Sequence, residues 1–320
     1  MSRTVDVPDL VTRAREGSAR AVARLISLVE DASPALHEVM AALAPHTGNA
    51  WVVGLTGSPG VGKSTTTSAL VTGLRARDLR VGVLAVDPSS PFSGGALLGD
   101  RVRMQDHALD PEVYIRSMAS RGHLGGLSWS TPQALRVLDA CGCDVVLVET
   151  VGVGQSEIEV ASAADTTVVM LAPGMGDGIQ AAKAGILEIG DVFVVNKADR
   201  EGADTTVRDI RNMLSLGERR EAGDWRAPVV KCVASRGEGI ADVLAALDKH
   251  RSWLGEGGRL EDRRRRRAAD EVEAIALTAL RQRMGDLRQG RGLDELAAQV
   301  VSGELDPYAA ADRLVAAVTD

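Results

Sequence analysis

The chain has 320 residues, 45% of them hydrophobic, so it can bury a substantial core in one large domain or in one domain with added segments. A formal net charge of -7 leaves no broad positive field for a phosphodiester backbone, which argues against nucleic acid as a partner. Three cysteines in so long a chain do not form a disulfide framework and indicate a reducing cytosol. The N-terminus has charges where a signal peptide needs an apolar run, and no apolar segment approaches membrane-spanning length. We therefore expect a cytoplasmic protein without membrane contact.

The first predicted elements are helices, because apolar residues recur at helical spacing between residues 8 and 44. We expect two helices there. From Trp51 onward, short β-branched runs alternate with helical segments, which is typical of βα units around a parallel sheet. Several runs are apolar on both faces, as expected for strands covered by helices on each side. The predicted strands are residues 51–55, 81–86, 113–117, 145–149, 167–171, 192–195 and 228–233.

Residues 130–132, Ser-Thr-Pro, predict a helix start, with a capping residue followed by a proline in the first turn. From about residue 240 onward the pattern is helical, and the amphipathic segment 308–318 is a candidate arm for dimerisation or for a partner. We expect three parts in the chain: an N-terminal helical extension over 1–48, a nucleotide-binding α/β domain over 49–255, and a C-terminal helical dimerisation arm over 256–320.

Two local features resemble binding sites but have simpler interpretations. Cys141 and Cys143 flank one glycine at the end of a predicted helix, without a nearby histidine or further cysteine, whereas zinc sites usually show paired motifs. We expect structural thiols there. The arginine run 263–267 is surrounded by acidic residues that helical spacing would pair with it, so we expect a solvated or interface-lining helix face rather than a polyanion site.

The segment GSPGVGKS, residues 57–64, lies between a predicted strand and a predicted helix and matches a phosphate-binding loop. Its glycines let backbone N–H groups point inward around phosphates, and the helix N-terminus adds favourable dipole charge. Lys63 can reach the β and γ phosphates, and the Ser64 hydroxyl is placed to bind Mg²⁺. The predicted fold class is thus α/β, a P-loop NTPase with a mostly parallel central sheet and helical N- and C-terminal extensions. The predicted nucleotide-binding residues of this loop are Gly57, Ser58, Pro59, Gly60, Val61, Gly62, Lys63, Ser64 and Thr65.

The segment NKAD, residues 196–199, follows a predicted strand far downstream of the phosphate loop and indicates which base the bound nucleotide carries. The Asp199 carboxylate can accept hydrogen bonds from the ring N–H and the exocyclic amine of guanine together, whereas adenine would leave that carboxylate unpaired. Asn196 would link this loop to the phosphate loop, and the Lys197 stem would cover the base. GTP is therefore preferred over ATP.

A third base-contacting element is predicted at Val233 and Ala234, where GTPases usually have Ser-Ala. The backbone N–H of Ala234 would meet the guanine O6, and any side-chain hydroxyl would come from Ser235.

Three carboxylates are candidates for the metal and for the attacking water. Glu149, at the end of the fourth predicted strand, would hold Mg²⁺ directly or through a water, and its extra methylene extends its reach by roughly 1.5 Å relative to aspartate. Asp87 ends the second strand and is placed to bond a metal-bound or attacking water, while Asp100 follows a Ser/Gly/Pro-rich segment. The alternatives are a solvent-facing glutamate and two aspartates that cap a helix or turn.

The segments GSPGVGKST, AVDPSSPFSGGALLGDRVRM, SRGHLGGLS, VETVGVGQSE and NKAD together resemble the MeaB/ArgK family, the methylmalonyl-CoA mutase-associated GTPases, over roughly residues 10 to 320. The resemblance implies a homodimeric G protein that binds an adenosylcobalamin-dependent acyl-CoA mutase, gates cofactor loading and protects the mutase from inactivation. It implies that Lys63 and Ser64 contact phosphate and Mg²⁺, and that Asp87, Asp100 and Glu149 are the metal-site carboxylates.

The resemblance also implies that residues 172–185 form a third switch loop that couples the nucleotide to the mutase. Lys183 is the candidate for the coupling role, with an exposed helix lysine as the alternative. No arginine finger is identifiable, and Gln155 lies farther beyond Glu149 than the catalytic glutamine of Ras-like proteins lies beyond its aspartate. We therefore expect slow conversion of GTP to GDP and phosphate by the isolated protein, accelerated by a partner.

Three other functions compete with this hypothesis. One is a non-enzymatic, nucleotide-gated scaffold that never needs hydrolysis. An ATP-dependent kinase linked to arginine/ornithine transport is an old label of the same family, and NKAD argues against it. A nickel-insertion GTPase would tend to have His-rich stretches or Cys/His metal motifs, which the sequence lacks.

Overall fold

A parallel β-sheet organises the first part of the chain. The computed structural model describes residues 5–87, 104–119, 130–150, 156–174, 186–216, 223–289 and 291–319. The strands in these ranges are β1 (Trp51–Thr56), β2 (Val81–Asp87), β3 (Val113–Ala119), β4 (Val145–Thr150), β5 (Thr166–Leu171), β6 (Val192–Val195) and β7 (Val229–Lys231). Their order in the sheet is β3-β2-β4-β1-β5-β6-β7, and neighbouring strands are parallel. All the predicted strands are confirmed, with ends within two residues of prediction.

The strand order places a binding site between β1 and β4. The connection after β1 leads toward one edge of the sheet, and the connection after β4 leads toward the other. Such a topological switch point leaves a crevice at the carboxyl ends of the strands, where open α/β sheets bind ligands. In the register, Leu55 of β1 lies beside Glu149 of β4, so the first strand and the candidate metal carboxylate meet at this crevice.

Helices cover both faces of the sheet, which explains the apolar runs. Within β4, Val146 and Val148 belong to one hydrophobic core and Val145 and Leu147 to another, because successive side chains of a strand point to opposite faces. The helices of this part are α1 (Val7–Arg15), α2 (Ala19–Glu30), α3 (Leu36–Leu43), α4 (Lys63–Arg75), α5 (Thr131–Ala140), α6 (Ser156–Ala163), α7 (Ile186–Ile189), α8 (Ala203–Leu216) and α9 (Ile240–Gly255). Helices α4 and α9 cover one face, and α1, α2, α3, α5 and α6 contribute to the core on the other.

The N-terminal segment forms three helices rather than the predicted two. Ser18 caps α2 by accepting the Ala21 N–H at 3.4 Å, and α2 ends at Glu30. The break before α3 contains Ala32 at a φ of 46° and Pro34, neither of which suits a continuous helix, and the spacing of apolar residues alone did not reveal it.

The predicted start of α5 is confirmed, although its predicted cap is not. The helix begins at Thr131 with Pro132 in its first turn, but the Ser130 side chain makes no capping hydrogen bond. Ser130 has helical backbone angles, φ -83° and ψ -7°, whereas capping residues usually adopt an extended conformation.

The chain divides into two compact units, Met1–Leu260 and Glu261–Asp320. The helices that account for the second unit are α10 (Arg259–Gln289), which begins just before it, α11 (Arg291–Ser302) and α12 (Pro307–Thr319). In α10, Arg265 pairs with Glu261 at 3.1 Å and with Asp262 at 3.5 Å, as the helical spacing predicts. No helix in the described ranges is both long and apolar enough to cross a bilayer.

Candidate nucleotide-binding site

The phosphate loop connects β1 to α4, and its glycines are required by its shape. Gly57 has a φ of +139°, and a Cβ there would lie 2.2 Å from the Met170 carbonyl oxygen of β5. Gly62 has a φ of +96°, and a Cβ there would lie 2.4 Å from Asn196 Nδ2. L-amino acids other than glycine avoid such angles. Between the glycines, Val61 is buried in the core shared with α4, which anchors the loop.

Lys63, the first residue of α4, places its ammonium group on the loop itself. Its Nζ donates to the Gly57 carbonyl oxygen at 2.6 Å and to the Ser58 carbonyl oxygen at 3.1 Å. The residue is only 8% exposed. The ammonium therefore lies inside the loop, where a phosphate-loop lysine contacts phosphate oxygens.

Glu149 reaches from β4 to the first turns of α4. Its Oε1 accepts a hydrogen bond from Ser64 Oγ at 2.5 Å, and its Oε2 accepts one from Thr67 Oγ1 at 3.0 Å. The residue is 4% exposed, so a solvent-facing glutamate is excluded. Thr67 was not among the predicted site residues, although its spacing of three from Ser64 puts both hydroxyls on one face of the helix.

Ser64 and Glu149 fit a magnesium ion, because hydroxyl and carboxylate oxygens are ligands that Mg²⁺ accepts in phosphate-binding sites. The side chains of the other two predicted metal-site carboxylates, Asp87 and Asp100, lie outside the described part of the chain. Asp87 is the last residue of β2, two residues beyond Ala85, which lies beside Glu149 in the register, but its side chain is outside the described part. Asp100, Lys183 and Gln155 lie outside the described residues altogether. Among described residues, no three His, Cys, Asp or Glu side chains form a metal-binding group.

Asn196 links the candidate base loop to the phosphate loop, as the sequence predicts. Its Nδ2 donates to the Val61 carbonyl oxygen at 2.8 Å, and the residue is 3% exposed. The next residue, Lys197, has a φ of 56°, and its Nζ donates to the Gly60 carbonyl oxygen at 2.6 Å. Strained backbone of this kind persists only where surrounding contacts hold it. The two loops therefore form one connected structure.

The structure gives the Ala234 N–H a partner other than the predicted guanine O6. This N–H is donated to Asn196 Oδ1 at 3.0 Å, because Asn196 presents its oxygen to the loop after β7. The Val233 N–H also has a partner, because it donates to the Glu238 carbonyl oxygen at 2.9 Å. The Ser235 N–H makes no hydrogen bond within the described ranges, and Ser235 is exposed. Ser235 is thus the better candidate for the contact with O6.

Asp199, the predicted base-selecting carboxylate, forms an ion pair that sequence analysis missed. Its Oδ2 lies 3.2 Å from an Nη2 of Arg236, and its side chain is 36% exposed. The signal in the sequence was weak, because Arg236 is one arginine among many and lies 37 residues from Asp199.

The cysteines behave as structural thiols. Cys141, Cys143 and Cys232 are unpaired and buried. Burial raises the pKa of Cys141 and of Cys143 to about 12 and that of Cys232 to about 11. Among the described residues, no further His, Cys, Asp or Glu completes a metal-binding group with Cys141 and Cys143.

Comparisons with known proteins agree with this geometry. Residues 22–300 match the family model of the methylmalonyl-CoA mutase-associated GTPase MeaB. A Pyrococcus abyssi protein that carries a GTPase name is 46% identical over 312 residues, which are 97% of this chain and 96% of that protein. GTPase ArgK of Escherichia coli is 37% identical over 278 residues, 84% of this chain and 83% of ArgK. The crystal structure of an LAO/AO transport system kinase is similar over 100% of both chains, with a TM-score of 0.74 and 26% identity. The chain therefore belongs to the MeaB family of P-loop GTPases.

Proposed function

We propose that the protein is a Mg²⁺-dependent GTPase that acts as a chaperone for an adenosylcobalamin-dependent acyl-CoA mutase, with methylmalonyl-CoA mutase as the first candidate. The main structural support is the 2.5 Å contact between Ser64 and Glu149, which brings the two expected magnesium ligands together at the phosphate loop. The family match over residues 22–300 supports the choice of partner.

Guanine selection follows from the base loop. Asp199 is partly exposed at the end of a loop that Asn196 and Lys197 connect to the phosphate loop. A carboxylate there accepts from both the ring N–H and the exocyclic amine of guanine, whereas adenine lacks this donor pair. The Ser235 N–H supplies a donor for O6. GTP and GDP are thus the proposed nucleotides.

The catalytic roles divide between the ammonium of Lys63 and the oxygens near Glu149. Ser64 and Glu149 would hold Mg²⁺, and we assign Asp87 and Asp100 to the same ion from their positions in the sequence. Mg²⁺ held there would supply positive charge that neutralises the negative charge developing on the phosphates. Lys63 would exchange the Gly57 and Ser58 carbonyls for phosphate oxygens, and its own burial keeps its charge away from bulk water.

Hydrolysis is proposed to be slow in the isolated protein. In the described ranges, the basic side chains that contact the phosphate loop are Lys63 and Lys197 of the base loop. Both donate hydrogen bonds to carbonyl oxygens of the phosphate loop. In related phosphoryl-transfer enzymes, an arginine finger raises the rate of hydrolysis by a large factor. We propose that the mutase completes the site, with Lys183 in the 172–185 switch loop as the coupling residue and the 256–320 arm as the homodimer contact in the cytoplasm.

The decisive experiment measures GTP hydrolysis by the purified protein alone and with candidate acyl-CoA mutases. We expect one mutase to raise the rate at saturating GTP, and we expect this increase to require Mg²⁺. A rate that none of the mutases changes contradicts the chaperone role, and a fast rate for the isolated protein contradicts partner dependence.

The similarity to an LAO/AO transport system kinase favours one alternative, an ATP-dependent kinase. The NKAD sequence at residues 196–199 argues for guanine, because Asp199 can pair with both of its donors, and the similar ArgK of Escherichia coli has a GTPase name. Competition between ATP and GTP for the purified protein separates the two functions. Equal affinity for ATP would support the kinase.

A further inference from the structure

We propose that Arg236 is a positioning residue that orients the Asp199 carboxylate and thereby sets the preference for guanine over hypoxanthine. The inference rests on the proposed function, since it requires Asp199 to contact the base. It assigns a role in specificity to the loop after β7 beyond a backbone contact with O6.

The contacts of Arg236 place its guanidinium between two carboxylates. Its Nη2 lies 3.2 Å from Asp199 Oδ2, and its Nη1 lies 3.8 Å from Glu238 Oε1. The Asp199 Oδ1 makes no hydrogen bond within the described part of the chain. The guanidinium therefore engages one side of the Asp199 carboxylate, and a carboxylate has about four acceptor positions in all.

The backbone that presents Arg236 is held by its own turn. The Arg236 N–H donates to the Val233 carbonyl oxygen at 2.9 Å, and the Val233 N–H donates to the Glu238 carbonyl oxygen at 2.9 Å. Gly239 closes the turn at a φ of +75°, with its Cβ position only 2.3 Å from the Lys231 carbonyl oxygen. Arg236 therefore projects from a constrained loop, which lowers the entropic cost of its ion pair.

Two further hydrogen bonds join this turn to the base loop. The Ala198 N–H donates to the Cys232 carbonyl oxygen at 3.0 Å, one residue before Asp199. The Ala234 N–H donates to Asn196 Oδ1 at 3.0 Å, two residues before Arg236. These bonds set the distance between the backbones of Asp199 and Arg236, so the ion pair controls mainly the rotation of the Asp199 side chain.

Rotation of that side chain matters more for guanine than for hypoxanthine. Guanine presents two donors to Asp199, the ring N–H and the exocyclic amine, and both bonds require both carboxylate oxygens in the plane of the base. Hypoxanthine lacks the amine and needs one oxygen. Loss of orientation therefore weakens the binding of GDP more than that of IDP, inosine diphosphate, whose base is hypoxanthine. The ratio of the two affinities measures how far Arg236 orients the Asp199 carboxylate.

The test is the affinity of GDP and of IDP for the wild-type full chain and for Arg236→Ala and Arg236→Lys. We expect Arg236→Ala to lower the preference for GDP over IDP roughly two- to fivefold, in line with a partly exposed ion pair. Arg236→Lys should keep part of the wild-type preference, because lysine retains the positive charge. Lys231→Ala is the matched control, because Lys231 forms an exposed ion pair with Asp204 at 2.9 Å. Lys231→Ala should leave the preference unchanged.

The possible results separate this inference from the proposed function. An unchanged preference in Arg236→Ala, an equal loss for GDP and IDP, or tighter GDP binding would overturn the role of Arg236. A wild-type protein that binds ADP as tightly as GDP would instead refute guanine selection itself. Arg236 is 58% exposed, so the substitutions should leave the fold intact, and thermal unfolding of the nucleotide-free variants checks this.

Discussion

Ser64 Oγ lies 2.5 Å from Glu149 Oε1, although the two residues are 85 positions apart in the chain. The contact joins the first turn of α4 to the carboxyl end of β4. Glu149 is 4% exposed, and the hydrogen bonds from Ser64 and Thr67 offset part of the cost of burying its carboxylate. The first turn of α4, which follows the phosphate loop, and the carboxyl end of β4 are therefore in direct contact, so a structural change at one affects the other.

Replacement of Glu149 by glutamine should separate metal binding from folding. Glu149→Gln keeps the shape of the side chain but removes its charge, so we expect the Mg²⁺-dependent part of GTP affinity to fall about tenfold or more, as for hydrogen bonds to charged groups. Binding measured in EDTA should change little. Glu256→Gln is the control, since Glu256 is 73% exposed. Unaltered Mg²⁺ dependence in Glu149→Gln would remove Glu149 from the metal site.

Removal of the Asn196 side chain should weaken both stability and nucleotide binding. Asn196→Ala loses the bonds to the Val61 carbonyl oxygen and the Ala234 N–H and leaves both groups buried without this partner. We expect a loss of about 2–4 kcal/mol in the free energy of unfolding, measured with urea, and faster GDP dissociation. Asn49→Ala, which removes one exposed bond of 3.4 Å, should cost under about 1 kcal/mol. Equal stability of the two variants would contradict this account.

A pair of glycine substitutions tests the shape of the phosphate loop. Gly57→Ala places a methyl group against the Met170 carbonyl oxygen at a φ of +139°, so we expect a loss of about 3 kcal/mol or more and no measurable GTP binding. Gly255→Ala, at the end of α9, meets no atom within 4 Å and should be neutral or slightly stabilising. Calorimetric unfolding and nucleotide titration compare the two variants. GTP binding by Gly57→Ala at wild-type affinity would show that the loop adopts another shape.

The thiols provide a test that depends on pH. Burial raises the pKa of Cys141 and Cys143 from 9.0 to about 12, so the folded protein keeps both thiols protonated over a range where the unfolded chain ionises. The unfolded state then binds fewer protons, and stability falls as the pH rises from about 9 towards about 12. Below that window the contribution is constant.

The same burial should make the thiols slow to react at pH 8. We expect little labelling of the native protein by a disulfide reagent and labelling of all three cysteines after unfolding in urea. Rapid labelling of Cys141 or Cys143 in the native protein would show that these thiols are accessible thiolates and would reopen the metal-site alternative.

The strands and the phosphate loop were predictable because their signals are local. Apolar runs of strand length depend on residues that are neighbours in the chain, and GSPGVGKS contains the glycines, the lysine and the serine of one short turn. The break between α2 and α3 was missed, because the prediction followed apolar spacing alone and did not use Pro34, and because Ala32 takes its left-handed conformation without a glycine to signal it.

The sequence by itself determined the order of the strands along the chain, the phosphate loop with Lys63 and Ser64, the position of Glu149 at the end of a strand, and that of Asp199 in the loop after another strand. Only the tertiary structure decided that β4 lies beside β1, which lets Glu149 accept hydrogen bonds from Ser64 and Thr67. It also decided that Asn196 accepts the Ala234 N–H and that Arg236 forms an ion pair with Asp199. The physical reason is that these partners are separated by tens of residues, and their distances depend on how the strands are ordered in the sheet and not on spacing within any one segment.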